Sequence, residues 1–215
     1  RRDRLVGLEL DDQVQLLPNQ QVGIPQSDLG LVAVVHHDQL DLLFFRGPDH
    51  LGRWARKFWE GAADEILMIE LARAGSLPQA RIRGMLAGIH EVIHPPESCP
   101  TVHLDGDGQF KTALERVRKR LRETQARRIL VGAANDPSAL GALRAFQEAG
   151  RTADCAVVGQ NGEPEARAEL RVPHTRLIGS VGFFPEKYGE GLIRLALDIL
   201  ATRPVPPAVF IKHQL

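Results

Sequence analysis

Two cysteines among 215 residues, Cys99 and Cys155, are too few for a disulfide framework. Cys155 lies inside an apolar, strand-like run, where a small buried hydrophobe is the expected role. No apolar run approaches the ~20 residues of a membrane span; LVAVV and LDLLFF are the longest candidates. Charge of one sign is missing too. With 27 acidic and 27 basic residues, the balance argues against a dedicated nucleic-acid or strongly anionic partner. GxGxxG is absent and the acidic ribose ligand has no evident place, so a nucleotide cofactor is disfavoured. GxSxG is absent as well, and no Ser-His-Asp or Cys-His set has a nucleophile context. The chain opens on Arg1-Arg2-Asp3 with no methionine and no charged-then-apolar leader, as either a processed or a truncated product would.

The rest is organised around Ile129 to Phe146, ILVGAANDPSALGALRAF. Ile129, Leu130 and Val131 suit a strand buried on both faces. Gly132 to Asp136 then forms a polar elbow, with Asp136 placed to cap a helix and Pro137 at the first helical position. Leu140, Leu143 and Phe146 recur at helical spacing, and Gly150 closes the helix. In an open α/β sheet such an elbow lies at the carboxyl edge of the strands, where ligands bind.

Residues 1 to 50 are less regular: Leu5 to Leu10 and Leu29 to Val35 read as strands, Gln13 to Gln21 as a weak helix. Leu51 to Glu60 predicts a short amphipathic helix whose Trp54, Phe58 and Trp59 suit core packing. From Glu65 onward strands and helices alternate. Strands are expected at 66–71, 102–104, 129–131, 156–159, 177–181 and 208–211. Helices are expected at 79–91, 109–123, 137–149, 164–170 and 186–200. This is the spacing of parallel βαβ units in an α/β protein.

Several residues stand out as candidates, each with a plainer reading. Asn135 and Asp136 offer an amide and a carboxylate at a helix N-terminus, which suits polyhydroxylated ligands; capping alone would also account for Asp136. Gly159-Gln160-Asn161-Gly162 makes a second polar elbow on the same edge, either a ligand loop or a plain Asn-Gly turn. Arg81 and Arg83 open a helix after a strand, where one guanidinium could reach over a cleft or both could be surface charges. His90-Glu91-Val92-Ile93-His94 formally matches HExxH, yet Pro95 disfavours helical geometry at His94 and no third ligand follows at the usual spacing. Asp105-Gly106-Asp107-Gly108 resembles the start of a calcium loop, but Phe110 stands where such a loop needs glycine, and a strand-to-helix turn suffices. Arg116, Arg118, Lys119, Arg120, Arg122, Arg127 and Arg128 read as a solvated face.

The stretches LVGAANDPSALGALRAF, VVGQNGEPEA and LIGSVGFFPEKYGEGLIRLALDILATRPVPPAVFI resemble type I periplasmic binding proteins, the sugar-binding members, and the effector domains of LacI-type repressors. The resemblance covers roughly residues 48 to 215. It implies an α/β fold of Rossmann-like parallel sheets flanked by helices, in two lobes that close on a sugar or similar small polar molecule without chemistry. The family's R-x-x-G arginine falls on Arg81, its ND dipeptide on Asn135-Asp136, and the polar residue after its VVG strand on Gln160 or Asn161. Phe183 or Phe184 would bring an aromatic face to the sugar.

Against the family pattern the N-terminal lobe looks incomplete, since two expected βα units have no room before Arg1. The implied organisation is 1–61 as a partial N-terminal lobe, 62–182 as the C-terminal ligand-binding lobe, and 183–215 as hinge crossover, helix and final strand. The expected function is reversible sugar binding in an interlobe cleft, as the periplasmic substrate-binding component of an ABC importer with a permease as partner. No enzymatic activity, cofactor or metal is expected. The ligand-sensing domain of a LacI-type regulator is the alternative, and a zinc hydrolase using His90 and His94 a remote one.

Overall fold

Leu67 and Ile69 point to one side of a β-strand, Ile66 and Met68 to the other, and all four are buried. That double burial is what a parallel strand covered by helices on both faces requires. A computed structural model describes residues 50–182 and 188–205 of the chain. The former belong to one compact unit and the latter to another.

In the first unit, helix α1 (His50–Phe58) is followed by strand β1 (Glu65–Glu70), helix α2 (Ser76–Val92) and strand β2 (Thr101–Asp105). Helix α3 (Phe110–Glu123), strand β3 (Ile129–Ala133), helix α4 (Asp136–Glu148) and strand β4 (Cys155–Asn161) come next. Helix α5 (Pro164–Glu169) and strand β5 (Leu177–Gly182) complete it. The strands form one parallel sheet in the order β2-β1-β3-β4-β5. The chain therefore builds outward from β1 to β2, then reverses to add β3, β4 and β5 on the other side. Ligands of doubly wound sheets bind outside the carboxyl ends of such strands.

From Glu65 to Leu200 the expected strands and helices are the ones observed among the described residues, with boundaries moved by a few residues. Two core clusters lie on opposite faces of the sheet. Leu114, Val117, Leu143 and Phe146 of α3 and α4 pack on Leu67, Ile69, Val131 and Val157. Leu51, Ala55, Met85 and Ile89 of α1 and α2 pack on Ile66, Met68, Leu130 and Val158. Helices α3 and α4 approach so closely at Gly141 that a Cβ there would stand 2.3 Å from the Phe110 carbonyl oxygen. Trp54 meets Phe58 and Trp59 at ring distances of 4.9 and 4.5 Å; Trp54 and Trp59 pack against the core as expected, while Phe58 is largely exposed.

Charges at the amino edge of the sheet are paired. Glu65, 1% exposed, accepts a two-pronged bond from Arg120 at 2.9 and 2.8 Å and a third from the Thr124 hydroxyl at 2.7 Å. Asp64 takes the Arg128 guanidinium and the Arg127 and Arg128 N–H groups, and the Arg128 side chain holds its carboxyl below the usual range. Arg118 pairs with Glu148 and Arg127 with Asp154. Four members of the basic cluster are thus engaged in ion pairs, while Arg116, Lys119 and Arg122 face solvent as expected.

The second unit holds helix α6 (Tyr188–Leu200), within the span expected for a helix. Glu190 and Arg194 pair along it at 3.3 Å. The expected elements between residues 1 and 49, the strand at 208–211, and Phe183 and Phe184 lie outside the described residues. No helix among the described residues is long and apolar enough to cross a membrane.

Candidate functional site

The polar elbow after β3 forms as expected, but its two residues exchange roles. Asn135, not Asp136, is the helix cap: its backbone is extended and its side-chain oxygen accepts the Ser138 N–H at 3.1 Å. Asp136 is instead the first residue of α4, with Pro137 one position inside. The physical reason is that Asp136 turns inward. It is fully buried, with Oδ1 accepting the Ser180 hydroxyl at 2.6 Å and Oδ2 accepting the Glu163 N–H at 2.7 Å. Burial pushes its carboxyl above the ordinary value, against the pull of those two bonds. Asp136 thereby ties the ends of β3, β4 and β5 together. The Asn135 amide donates to the Gly108 carbonyl at 2.9 Å and so adds the loop after β2.

Arg81 and Asn161 meet above this layer. The Arg81 guanidinium, carried on the second turn of α2, donates from Nη1 to the Ala134 carbonyl at 2.9 Å and to Asn161 Oδ1 at 3.1 Å. Asn161 ends β4 with φ at +119°, a conformation side chains seldom adopt. Its Nδ2 donates to the Glu163 carboxylate at 2.8 Å. An amide carbonyl has two lone pairs and an amide nitrogen two protons. Among the described residues these bonds leave Asn161 one acceptor and one donor direction, the pair a ligand hydroxyl engages.

Gln160 is turned the other way. Alternation along β4 puts it on the α1–α2 face with Val158, 2% exposed, and its Oε1 has no partner among the described residues. The structure therefore brings Arg81, Asn135, Asp136 and Asn161 to one stretch of the carboxyl edge, while the Gln160 side chain is buried in the sheet's α1–α2 face. Phe183 lies outside the described residues.

Other motifs take the plainer shape. Helix α2 ends at Val92 and Ile93 is extended, so His90 is helical and His94 is not, and the one-face geometry of HExxH is missing. Asp105 closes β2 and accepts the Asp107 N–H at 2.9 Å in a tight turn before α3. No group of three or more histidine, cysteine or acidic residues among the described residues is arranged to hold a metal ion.

Ser180 and Glu163 were not foreseen. Ser180 was visible as the single polar side chain within LIGSVG, a run otherwise apolar or glycine. Glu163 gave no local signal, because a residue before proline reads as a turn or a cap.

The family model described as a periplasmic binding protein-like domain matches residues 55–213. Comparison with curated proteins gives no match. Among solved structures, the fold is similar to a periplasmic solute binding protein of an ABC transporter from Actinobacillus succinogenes 130z with bound D-allose. That pair shares 19% identity and a TM-score of 0.65 over 80% of this chain and 57% of that one. A solute binding protein from Agrobacterium vitis with α-D-tagatopyranose aligns at 13% identity and TM-score 0.63, over 79% and 54%. A LacI family transcriptional regulator from Arthrobacter sp. FB24 in complex with lactose aligns at 22% identity and TM-score 0.56, over 78% and 61%. The chain thus spans between 54% and 61% of the length of these three structures.

Proposed function

We propose that this chain, which belongs to the periplasmic binding protein-like domain family, reversibly binds a sugar or similar small polyhydroxylated solute at the carboxyl edge of its sheet. The observation that carries this reading is the junction of Arg81 with Asn161. A planar cationic fork and an amide with one donor and one acceptor direction left over match vicinal hydroxyls, each of which gives and accepts a hydrogen bond. Asn135 lies beside them on the helix N-terminus. Phe183, as an aromatic face, completes the proposed contact set, and Gln160, buried on the α1–α2 face, stays outside it. No bond is made or broken in this function. Family and fold are those of binding proteins.

The role follows as the periplasmic solute-binding component of an ABC importer, with the permease as its protein partner. Likeness to the D-allose and tagatopyranose complexes supports this reading. Likeness to the lactose-bound regulator supports a second one, ligand sensing in a LacI-type regulator in the cytoplasm. The gene sequence that precedes Arg1 separates the two: a signal peptide there selects the importer, a helix-turn-helix the regulator.

Calorimetric titration with D-allose, D-tagatose and lactose tests the shared core of both. Saturable binding of at least one sugar, weakened in Asn161→Ala, is the expected result. Absence of binding to all three at millimolar concentration would overturn it.

A further inference from the structure

Glu163 has no role of its own in the VVGQNGEPEA stretch, yet its backbone and side chain both act at the candidate site. Its N–H donates to buried Asp136 at 2.7 Å, and its carboxylate accepts the Asn161 Nδ2 at 2.8 Å. It occupies the cap position of α5 without spending its side chain on the cap. A residue at that position ordinarily satisfies the first N–H groups of its helix. Here the carboxylate is turned back over the β4 end instead.

Asn161 needs such a partner for two reasons. Its backbone sits at φ +119°, which a free asparagine would leave. Its amide must also present oxygen, not nitrogen, to Arg81, because a guanidinium only donates. A carboxylate only accepts, so Glu163 on the far side of the amide permits one orientation alone: Nδ2 toward Glu163, Oδ1 toward Arg81. The opposite flip would set two donors against each other at Arg81 and two acceptors against each other at Glu163.

We propose that Glu163 is a positioning residue: it locks the Asn161 amide in the orientation that serves Arg81 and a ligand hydroxyl, and links that amide through its own backbone to Asp136. The importance of this lock for affinity rests on the sugar-binding reading above. The lock itself does not, and this separates the two in the test.

The side-chain amide signals of Asn161, identified by their loss in Asn161→Asp, report the lock without ligand. One proton of the pair is shifted and protected from exchange in the wild type, both become solvent-like in Glu163→Ala, and Glu163→Gln, whose amide oxygen still accepts, restores the pattern. Signals unchanged in Glu163→Ala overturn the proposal. For the sugar that the wild type binds, Glu163→Ala weakens affinity about tenfold at an unchanged melting temperature, and Glu163→Gln recovers it to within about twofold. In an Asn161→Ala background Glu163→Ala adds nothing. Equal affinity in wild type and Glu163→Ala overturns the role in binding. A wild type that takes none of the three sugars while the amide signals respond as stated defeats the sugar-binding reading and supports the lock.

Discussion

Arg81 Nη1 stands 2.9 Å from the Ala134 carbonyl oxygen and 3.1 Å from Asn161 Oδ1, so one guanidinium nitrogen joins the exits of β3 and β4. The two side chains are 80 positions apart in sequence, and their meeting is a product of the parallel sheet alone. If they contact a sugar together, Arg81→Met and Asn161→Ala should each weaken its binding by ~1.5–3 kcal/mol, and the double variant by less than the sum. Arg81→Lys should recover little, because an ammonium lacks the planar fork. Calorimetric titration of the four variants checks this; full additivity would mean that the two residues act separately.

Asp136 and Asp64 titrate with opposite consequences. Burial raises the Asp136 carboxyl above its ordinary value of 3.8. Between that value and its native pKa the folded state binds more protons than the unfolded one. Its contribution is therefore present in full below 3.8 and lost as pH rises through the native pKa. Asp64, lowered by Arg128, contributes above 3.8 and loses that contribution as pH falls through its native pKa. Denaturant unfolding of wild type, Asp136→Asn and Asp64→Asn over a pH series should show this. Stability of wild type relative to Asp136→Asn declines with rising pH, and relative to Asp64→Asn it declines with falling pH. A flat difference for either variant removes that aspartate from the pH dependence.

Much of the fold is legible in the sequence. Ile129 to Val131 and Cys155 to Val158 are apolar runs too short for helices, and buried parallel strands are the structures that tolerate them. The site was legible only in outline. Asn135-Asp136 declared a polar break at a helix start, but both residues are good caps and a dipeptide cannot say which one turns inward. That choice depends on Ser180, 44 residues later, and on the missing side chain of Gly159. Gln160 and Asn161 were equally ambiguous. Alternation places Gln160 on the α1–α2 face with Val158, but it does not place Asn161, whose φ of +119° breaks the strand's alternation and lets its amide meet Arg81 of α2 at the carboxyl edge. What escaped the sequence was the long-range part of each contact.

Cys155 should be inert while the protein is folded. It is buried, and desolvation pushes its thiol up to about 12, so almost no thiolate exists near neutral pH. Cys99 is half-buried, and its thiol too is raised by burial and by the nearby Asp64 and Glu65 charges. Labelling with an aromatic disulfide reagent at pH 8 should modify Cys99 slowly and Cys155 only at the rate of unfolding. Rapid reaction of Cys155 in Cys99→Ser under native conditions would contradict its place in the β4 core.

Gly159 and Gly150 should respond differently to the same substitution. A Cβ on Gly159 would stand 2.2 Å from Asp136 Oδ1 and 3.1 Å from the Ala139 Cβ, in a layer with no room to yield. Gly159→Ala should therefore cost about 1–3 kcal/mol by overpacking. Because the displaced carboxylate holds the Glu163 N–H and the Ser180 hydroxyl, sugar affinity should fall as well. Gly150 has φ at +66° and nothing within 4 Å of an added Cβ. Gly150→Ala should cost ~1–2 kcal/mol from the left-handed backbone alone, with affinity unchanged. Unfolding and binding curves for both variants separate the causes. If Gly159→Ala lost stability but kept full affinity, Asp136 would be a core anchor with no bearing on the site above it.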